Sequence, residues 1–197
     1  MQIFFDDKNI RSARMDELPT VIEILSESFK DDPHMNWILE QSRYSEKINV
    51  VIEYQVKEAF NTGCVLVTKD LLGASLWNTE SRENLTIDYI KRNISFILKL
   101  GLRTAIRSLK DKEAAENKHT GKKYFYLSAI GVLPQGRGKG LASKLMDPLL
   151  EHCKKHNFPV YLETANDRNV KIYSKKGFVE TGISDKGCIK IHYMECV

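Results

Sequence analysis

The residues whose types and spacing point most directly to chemistry are Arg137-Gly138-Lys139-Gly140-Leu141-Ala142, which follow an apolar run and open a stretch of helical periodicity. A helix N-terminus presents unpaired N–H groups and partial positive charge, and glycines let the backbone come close to a ligand. Such a loop suits a pyrophosphate. It is not a nucleotide P-loop, because Gly140 stands where Ser or Thr must follow Gly138-Lys139, and Leu133 stands where the first glycine must be. Nor is it a dinucleotide fingerprint, since the third glycine would fall on Leu141 or Ser143.

A second constellation lies downstream. Asn166, Tyr173 and Gly177-Phe178 are spaced as N-x(6)-Y-x-x-x-G-F, in a run that begins at Leu162-Glu163-Thr164. With Val132-Leu133-Pro134 before Arg137, the two motifs resemble those of the GNAT superfamily of acetyl-CoA-dependent N-acetyltransferases, in which Q/R-x-x-G-x-G/A follows a strand. Gln135 to Gly140 also satisfies that expression, but the distance from Val132 selects the register beginning at Arg137. The segments Tyr124–Val132 and Tyr161–Ala165, with Pro148 between them, are most similar to the puromycin N-acetyltransferase-like subgroup. The resemblance is clear from about Tyr124 to Gly182, and the first half shares only Asp31-Asp32-Pro33 and Leu76-Trp77.

The resemblance implies acetyl-CoA as acyl donor, no metal, and direct attack by a primary amine within a ternary complex. Main-chain groups of Ile130 and Val132 would meet the pantetheine arm and the acetyl carbonyl, and Arg137, Gly138, Lys139, Gly140, Leu141 and Ala142 the pyrophosphate. Asn166 would bond the pantetheine amides, or cap the helix starting at Asp167, or both. Tyr173 takes the place of the general acid. A phenol has a pKa of about 10 and a thiol about 8.5, so it can steady or protonate a departing thiolate at modest cost. The alternative is a ring packed on the sheet. Glu163 is the best-placed general base, with a salt-bridged edge glutamate as the alternative, and His34 and His119 offer a route through water. Gly131 reads as a bulge that frees main-chain groups, Ser128 as an amine contact, Tyr126 as core, and Gly177, Lys175 and Lys176 as a helix end.

The positioning elements follow from periodicity. Asn9–Ala13 reads as a strand, then Asp16 caps a helix carrying Leu18, Val21, Ile22, Leu25 and Phe29. Asp31-Asp32-Pro33 breaks it, one more turn spans His34–Glu40, and Ile48–Phe60 is amphipathic with Val51, Ile52, Val56 and Ala59 inward. Cys64–Thr68 and Gly73–Trp77 form a hairpin. In Thr86–Leu109, Ile87, Ile90, Ile94, Ile97, Leu98, Leu102, Ile106 and Leu109 keep helical spacing on either side of Gly101. The basic residues of this insert, about 81–110, fit a solvated face, a substrate lid or a membrane-surface helix. Asp111–Lys123 reads as a surface connection, and from Tyr124 on the order is β-α-β-α-β-β.

With 197 residues, 42% hydrophobic and 28% charged, the chain reads as one GNAT domain over 1–197 with a cofactor-binding core about 124–182. The expected fold is mixed α/β, a mostly antiparallel twisted sheet with splayed central strands and helices on both faces. Met1–Asp7 lacks the basic start of a secretory leader, so a cytoplasmic enzyme is expected, monomeric or homodimeric. The cysteines Cys64, Cys153, Cys188 and Cys196 show neither metal nor disulfide spacing. A net charge of +4 is modest for a nucleic-acid binder. The reading is a small-molecule amine N-acetyltransferase without nucleic-acid or membrane partners. Its rivals are an enzyme acting on protein N-termini or lysines, a catalytically silent CoA-binding module, and a nucleic-acid binder using the basic 91–112 stretch.

Overall fold

The computed structural model describes residues 4–39, 44–79, 86–116 and 123–197, without the side chains of 88, 109 and 111–116. The elements are β1 (Ile10–Ser12), α1 (Leu18–Ser28), α2 (Pro33–Ile38), α3 (Tyr44–Thr62), β2 (Cys64–Thr68), β3 (Gly73–Thr79), α4 (Ile87–Leu100), α5 (Leu102–Glu116), β4 (Phe125–Val132), α6 (Leu141–His156), β5 (Val160–Thr164), α7 (Asp167–Ser174), β6 (Val179–Asp185) and β7 (Lys190–Cys196). The strands form one seven-stranded sheet in the order β1-β2-β3-β4-β5-β7-β6, antiparallel throughout except between β4 and β5. This is the mixed, mostly antiparallel α/β fold expected from the sequence.

Each face of the sheet carries a helical layer. Val65, Val67, Ala74 and Leu76 pack with α1, α3 and the inner residues Phe96 and Leu100 of α4. On the other face, Leu66, Trp77 and Leu127 pack with Leu145, Met146, Leu149 and Cys153 of α6. The central strands are therefore buried on both sides, which is why β2 reads as a continuous apolar run.

Two helix starts depart from expectation. Asp16 does not cap α1; it is exposed and paired with Arg14, while a 3-10 turn at Met15–Glu17 leads into the helix. Glu17 instead accepts the Arg14 backbone N–H at 2.9 Å and both arms of Arg11 at 2.6 and 2.7 Å. That bidentate pair holds the Glu17 carboxyl down at about 2. Asp32 is the true cap of α2, accepting His34 N at 2.9 Å and Met35 N at 3.0 Å. The reading of Asp111–Lys123 as a connection is also corrected, because α5 continues to Glu116. His119, Glu40 and the start of the insert at 81–85 lie outside the described residues.

β4 carries the largest correction. The bulge falls at Ser128, not Gly131: Ala129 pairs with Leu76 and Leu127 with Trp77, leaving Ser128 extra. Before it, Phe125 and Leu127 face the α6 layer; after it, Ala129 faces the α1 layer while Ile130 and Val132 pack toward α6. One inserted residue reverses which positions see which face. Gly131 is required for another reason, since a Cβ there would lie 2.6 Å from the Ser28 Cβ of α1.

Candidate functional site

β4 and β5 are paired only at Phe125↔Val160, Tyr126↔Tyr161 and Leu127↔Leu162. Beyond that seam they part: β4 stays with β3 as far as Val132, and β5 with β7 as far as Thr164. The β5-facing edge of β4 from Ser128 onward therefore has no strand beside it among the described residues, and main-chain groups on such an edge call for partners, as Val132 O finds in the Arg137 side chain at 3.4 Å. The splay opens into a cleft of about 680 Å³ running to the start of α6.

The glycine loop forms one end of this cleft. Gly138 and Gly140 have φ of 78° and 71°, the left-handed region that β-branched and bulky residues avoid, and a Cβ at either would meet only open space. Gly140 is the N-cap of α6 and no side chain caps the helix. The first N–H groups of α6 thus lack a side-chain cap and lie beside open space, as a pyrophosphate site requires. Arg137, Gly138, Gly140, Leu141 and Ala142 line the cleft with Ile130, Val132, Asn166 and Tyr173, so most of the residues expected to hold the acyl donor converge. Lys139 does not line it. Arg168, Lys175 and Lys176 do, Lys176 while paired with Asp147 at 2.5 Å; the two lysines are ones the sequence assigned to a helix end. Asn166 caps α7 by accepting the Arg168 N–H at 3.0 Å, which leaves its amide N–H₂ for a ligand.

A second cavity, about 160 Å³, lies on the other side of the seam. Its walls include Phe29, Tyr54, Phe96, Tyr124 and Tyr126, with the carboxylates Asp32, Glu58 and Glu163. Tyr126, expected in the core, is half-buried and lines this cavity, and so does Ser128, whose hydroxyl donates to Leu76 O at 3.3 Å. Glu163 sits here, in register with Tyr193, and not in the cleft. His34 lines the same wall, stacked on Trp37.

The two cavities meet. Phe29, Asp32, Ile130, Asn169 and Tyr173 line both. Tyr173 is only 7% exposed, and burial first, then the charge of Asp32, pushes its phenol well above the ordinary value. Burial likewise raises the Asp32 carboxyl, against the pull of the two cap hydrogen bonds. Asp32 escaped the sequence reading because Asp31-Asp32-Pro33 was legible only as a helix break. Nothing in one sequence says that the break turns its carboxylate toward a tyrosine some 140 positions downstream.

Known proteins share this fold. A model of the acetyltransferase (GNAT) family matches residues 104–178. An uncharacterised N-acetyltransferase of Schizosaccharomyces pombe is 28% identical over 167 residues, covering 79% of this chain and 68% of its own length. Among solved structures, the histone acetyltransferase HPA2 and related acetyltransferase from Corynebacterium glutamicum superposes with a TM-score of 0.71 at 21% identity, over 94% of this chain and 93% of that one. Arylalkylamine N-acetyltransferase 2 from Aedes aegypti superposes with a TM-score of 0.62 at 16% identity, over 97% and 99% of the two chains. The segment that carries both signature motifs and lines the splayed cleft is thus similar to the GNAT family of acetyltransferases, and these matches support an acyltransferase.

Proposed function

We propose that the protein transfers the acetyl group of acetyl-CoA to the primary amine of a small molecule by direct attack within a ternary complex. The observation that carries this is the junction where the two cavities share Asp32, Ile130 and Tyr173. A donor held in the cleft and an amine in the aromatic cavity would meet there, without any side chain needed to carry the acetyl group between them. Bound acetyl-CoA supplies the activated acyl group, and this chain's residues do the rest. The N–H groups of α6 and the cations of the cleft hold the phosphates, the open edge of β4 aligns the arm, and Tyr173 donates to the sulfur that departs. Because phenolate is penalised at this buried site, Tyr173 acts chiefly as a hydrogen-bond donor.

Two carboxylates face the amine. Glu163 is the base expected from sequence, and its place in the acceptor cavity agrees with that role. Asp32 is favoured as a second reading by one observation: it alone of the three carboxylates reaches both cavities, and burial raises it toward the working pH of a base. Asp32→Asn keeps the cap on α2, so comparing it with Glu163→Gln isolates the charge. The true base is the one whose loss lowers kcat/KM most at neutral pH and shrinks in effect as pH rises and more amine is already neutral. Equal, pH-independent effects would remove both from that role.

The small aromatic cavity supports a compact amine over a protein tail, and a fold neighbour from Aedes aegypti is an arylalkylamine N-acetyltransferase. A screen of arylalkylamines, diamines and lysine peptides for acetyl-CoA-dependent thiol release tests the reading. Release with peptides alone would overturn the small-molecule assignment, and none with any amine, despite CoA binding, would favour a silent module.

A further inference from the structure

The helices α4 and α5 have apolar residues on two opposite faces. Phe96, Leu100 and Ala105 point into the core, as the packing of α4 on α3 and of α5 on α2 requires. On the outside, Ile87, Ile90, Ile94, Leu98, Leu102 and Ile106 are all exposed, Leu98 by 78%. Their spacing of three or four keeps them on one side of α4, and the stripe resumes on α5 after Gly101, whose φ of 81° breaks the helix. A helix that merely faced water would carry polar residues there. Scattered exposed apolar residues are ordinary; a continuous row of isoleucine and leucine is the mark of a surface that meets something.

The charge around the row says what. Between Ile87 and Lys110 the sequence holds Lys91, Arg92, Lys99, Arg103, Arg107 and Lys110 against the single acid Asp88. Arg92 is drawn inward over Tyr54 and Arg107 to the Trp37 carbonyl, but Lys91, Arg103 and Lys110 stay exposed beside the apolar row. Two copies meeting through this face would set these cations against each other, whereas an anionic lipid surface neutralises them and takes up the isoleucines. No described helix is long and apolar enough to cross a membrane, so the fit is with helices lying in the plane of the headgroups.

We propose that the outer face of α4–α5 docks on an anionic lipid surface, the row from Ile87 to Ile106 entering the headgroup boundary and Lys91, Arg103 and Lys110 meeting lipid phosphates. This differs from the sequence reading, which expected no membrane partner. The inner face of the same helices brings Phe96 and Ser108 to the acceptor cavity, so docking sets that cavity next to the bilayer.

The test is co-sedimentation of the full chain with vesicles of phosphatidylcholine, with and without phosphatidylglycerol. The expected result is roughly tenfold or stronger partitioning onto the anionic vesicles, weakened by salt. Ile94→Asp combined with Leu98→Asp should lower it roughly tenfold or more at unchanged melting temperature. If that pair loosens the fold, Lys91→Gln with Lys110→Gln removes the charge alone and should lower binding to the anionic vesicles only. Absence of partitioning, equal partitioning to both vesicles, or partitioning indifferent to both variants overturns the proposal. So does a concentration-dependent dimer that Ile94→Asp with Leu98→Asp dissolves while lipid binding is absent, since the face would then belong to a second copy.

Discussion

Tyr173 is where the cleft and the aromatic cavity touch, and its hydroxyl is the group whose removal leaves most else in place. Tyr173→Phe keeps the ring that packs edge-on against Phe178, so the fold and acetyl-CoA affinity should be nearly unchanged. General acid catalysis is typically worth about 10²–10⁴-fold, and a hydrogen bond to developing thiolate somewhat less, so kcat should fall roughly tenfold or more. Single-turnover kinetics check this directly. A normal acetyl-transfer step would remove Tyr173 from the chemistry whatever the steady-state rate. At the same scale, the sequence named the tyrosine because its motif is local, and missed Asp32 because the cavity walls and the charge effect that tie it to Tyr173 are set by the fold and not by spacing.

At the scale of elements, the start of α6 should be the point most sensitive to a side chain. Gly140→Val forces a β-branched residue to φ near 71°, which costs about 1–3 kcal/mol or reshapes the loop. Because the surrounding space is open, the chain should still fold but bind acetyl-CoA at least ~tenfold more weakly, as calorimetry would show. Unchanged affinity would mean the loop is not the pyrophosphate site. The start of α1 makes a different prediction. Glu17 is lowered from an ordinary 4.5 to about 2, so the stability it contributes is present above 4.5 and lost as pH falls toward 2. Glu17→Gln should lower the melting temperature at pH 7 and flatten its decline across that acidic window.

The elements themselves were legible because period 2 and period 3.6 survive in single segments: β2, β3, α3 and the break at Gly101 lie where the apolar spacing puts them. What escaped was any feature set by a neighbour. The bulge at Ser128 depends on the register with β3, the need for glycine at 131 on the approach of α1, and the outward turn of the α4–α5 row on which of two apolar faces α3 takes.

For the whole molecule, a ligand that binds only the folded state raises its stability by RT ln(1 + [L]/Kd). Acetyl-CoA should therefore raise the melting temperature progressively with concentration, and NAD or ATP should not. A shift with NAD or ATP and none with millimolar acetyl-CoA would sink the donor assignment. The mixed sheet, the splayed strands and the seven-strand order bear out the fold expected from two motifs and a string of periodicities, although those motifs lie in the second half of the chain. The first half came from patterning alone, and the part of the aromatic cavity's wall that α2, α3, Phe96 and Ser108 supply could not be read in advance.

The three residue pairs that join β4 to β5 also divide the molecule. On one side, β1 to β4 form a continuous antiparallel ladder; on the other, β5, β7 and β6 form a second. Between them, among the described residues, run the strand pairing of Phe125–Leu127 with Val160–Leu162, the Phe125 N–H bond to Pro159 O at 3.0 Å, the Tyr124–Tyr161 ring contact and the side chains of α6 packed across the gap. A twist of one ladder against the other would break few strand hydrogen bonds at so short a seam, so what resists it is the core packed across the gap. Residues at the splayed end of that seam line both the cleft and the aromatic cavity, so such a twist would alter the two mouths together.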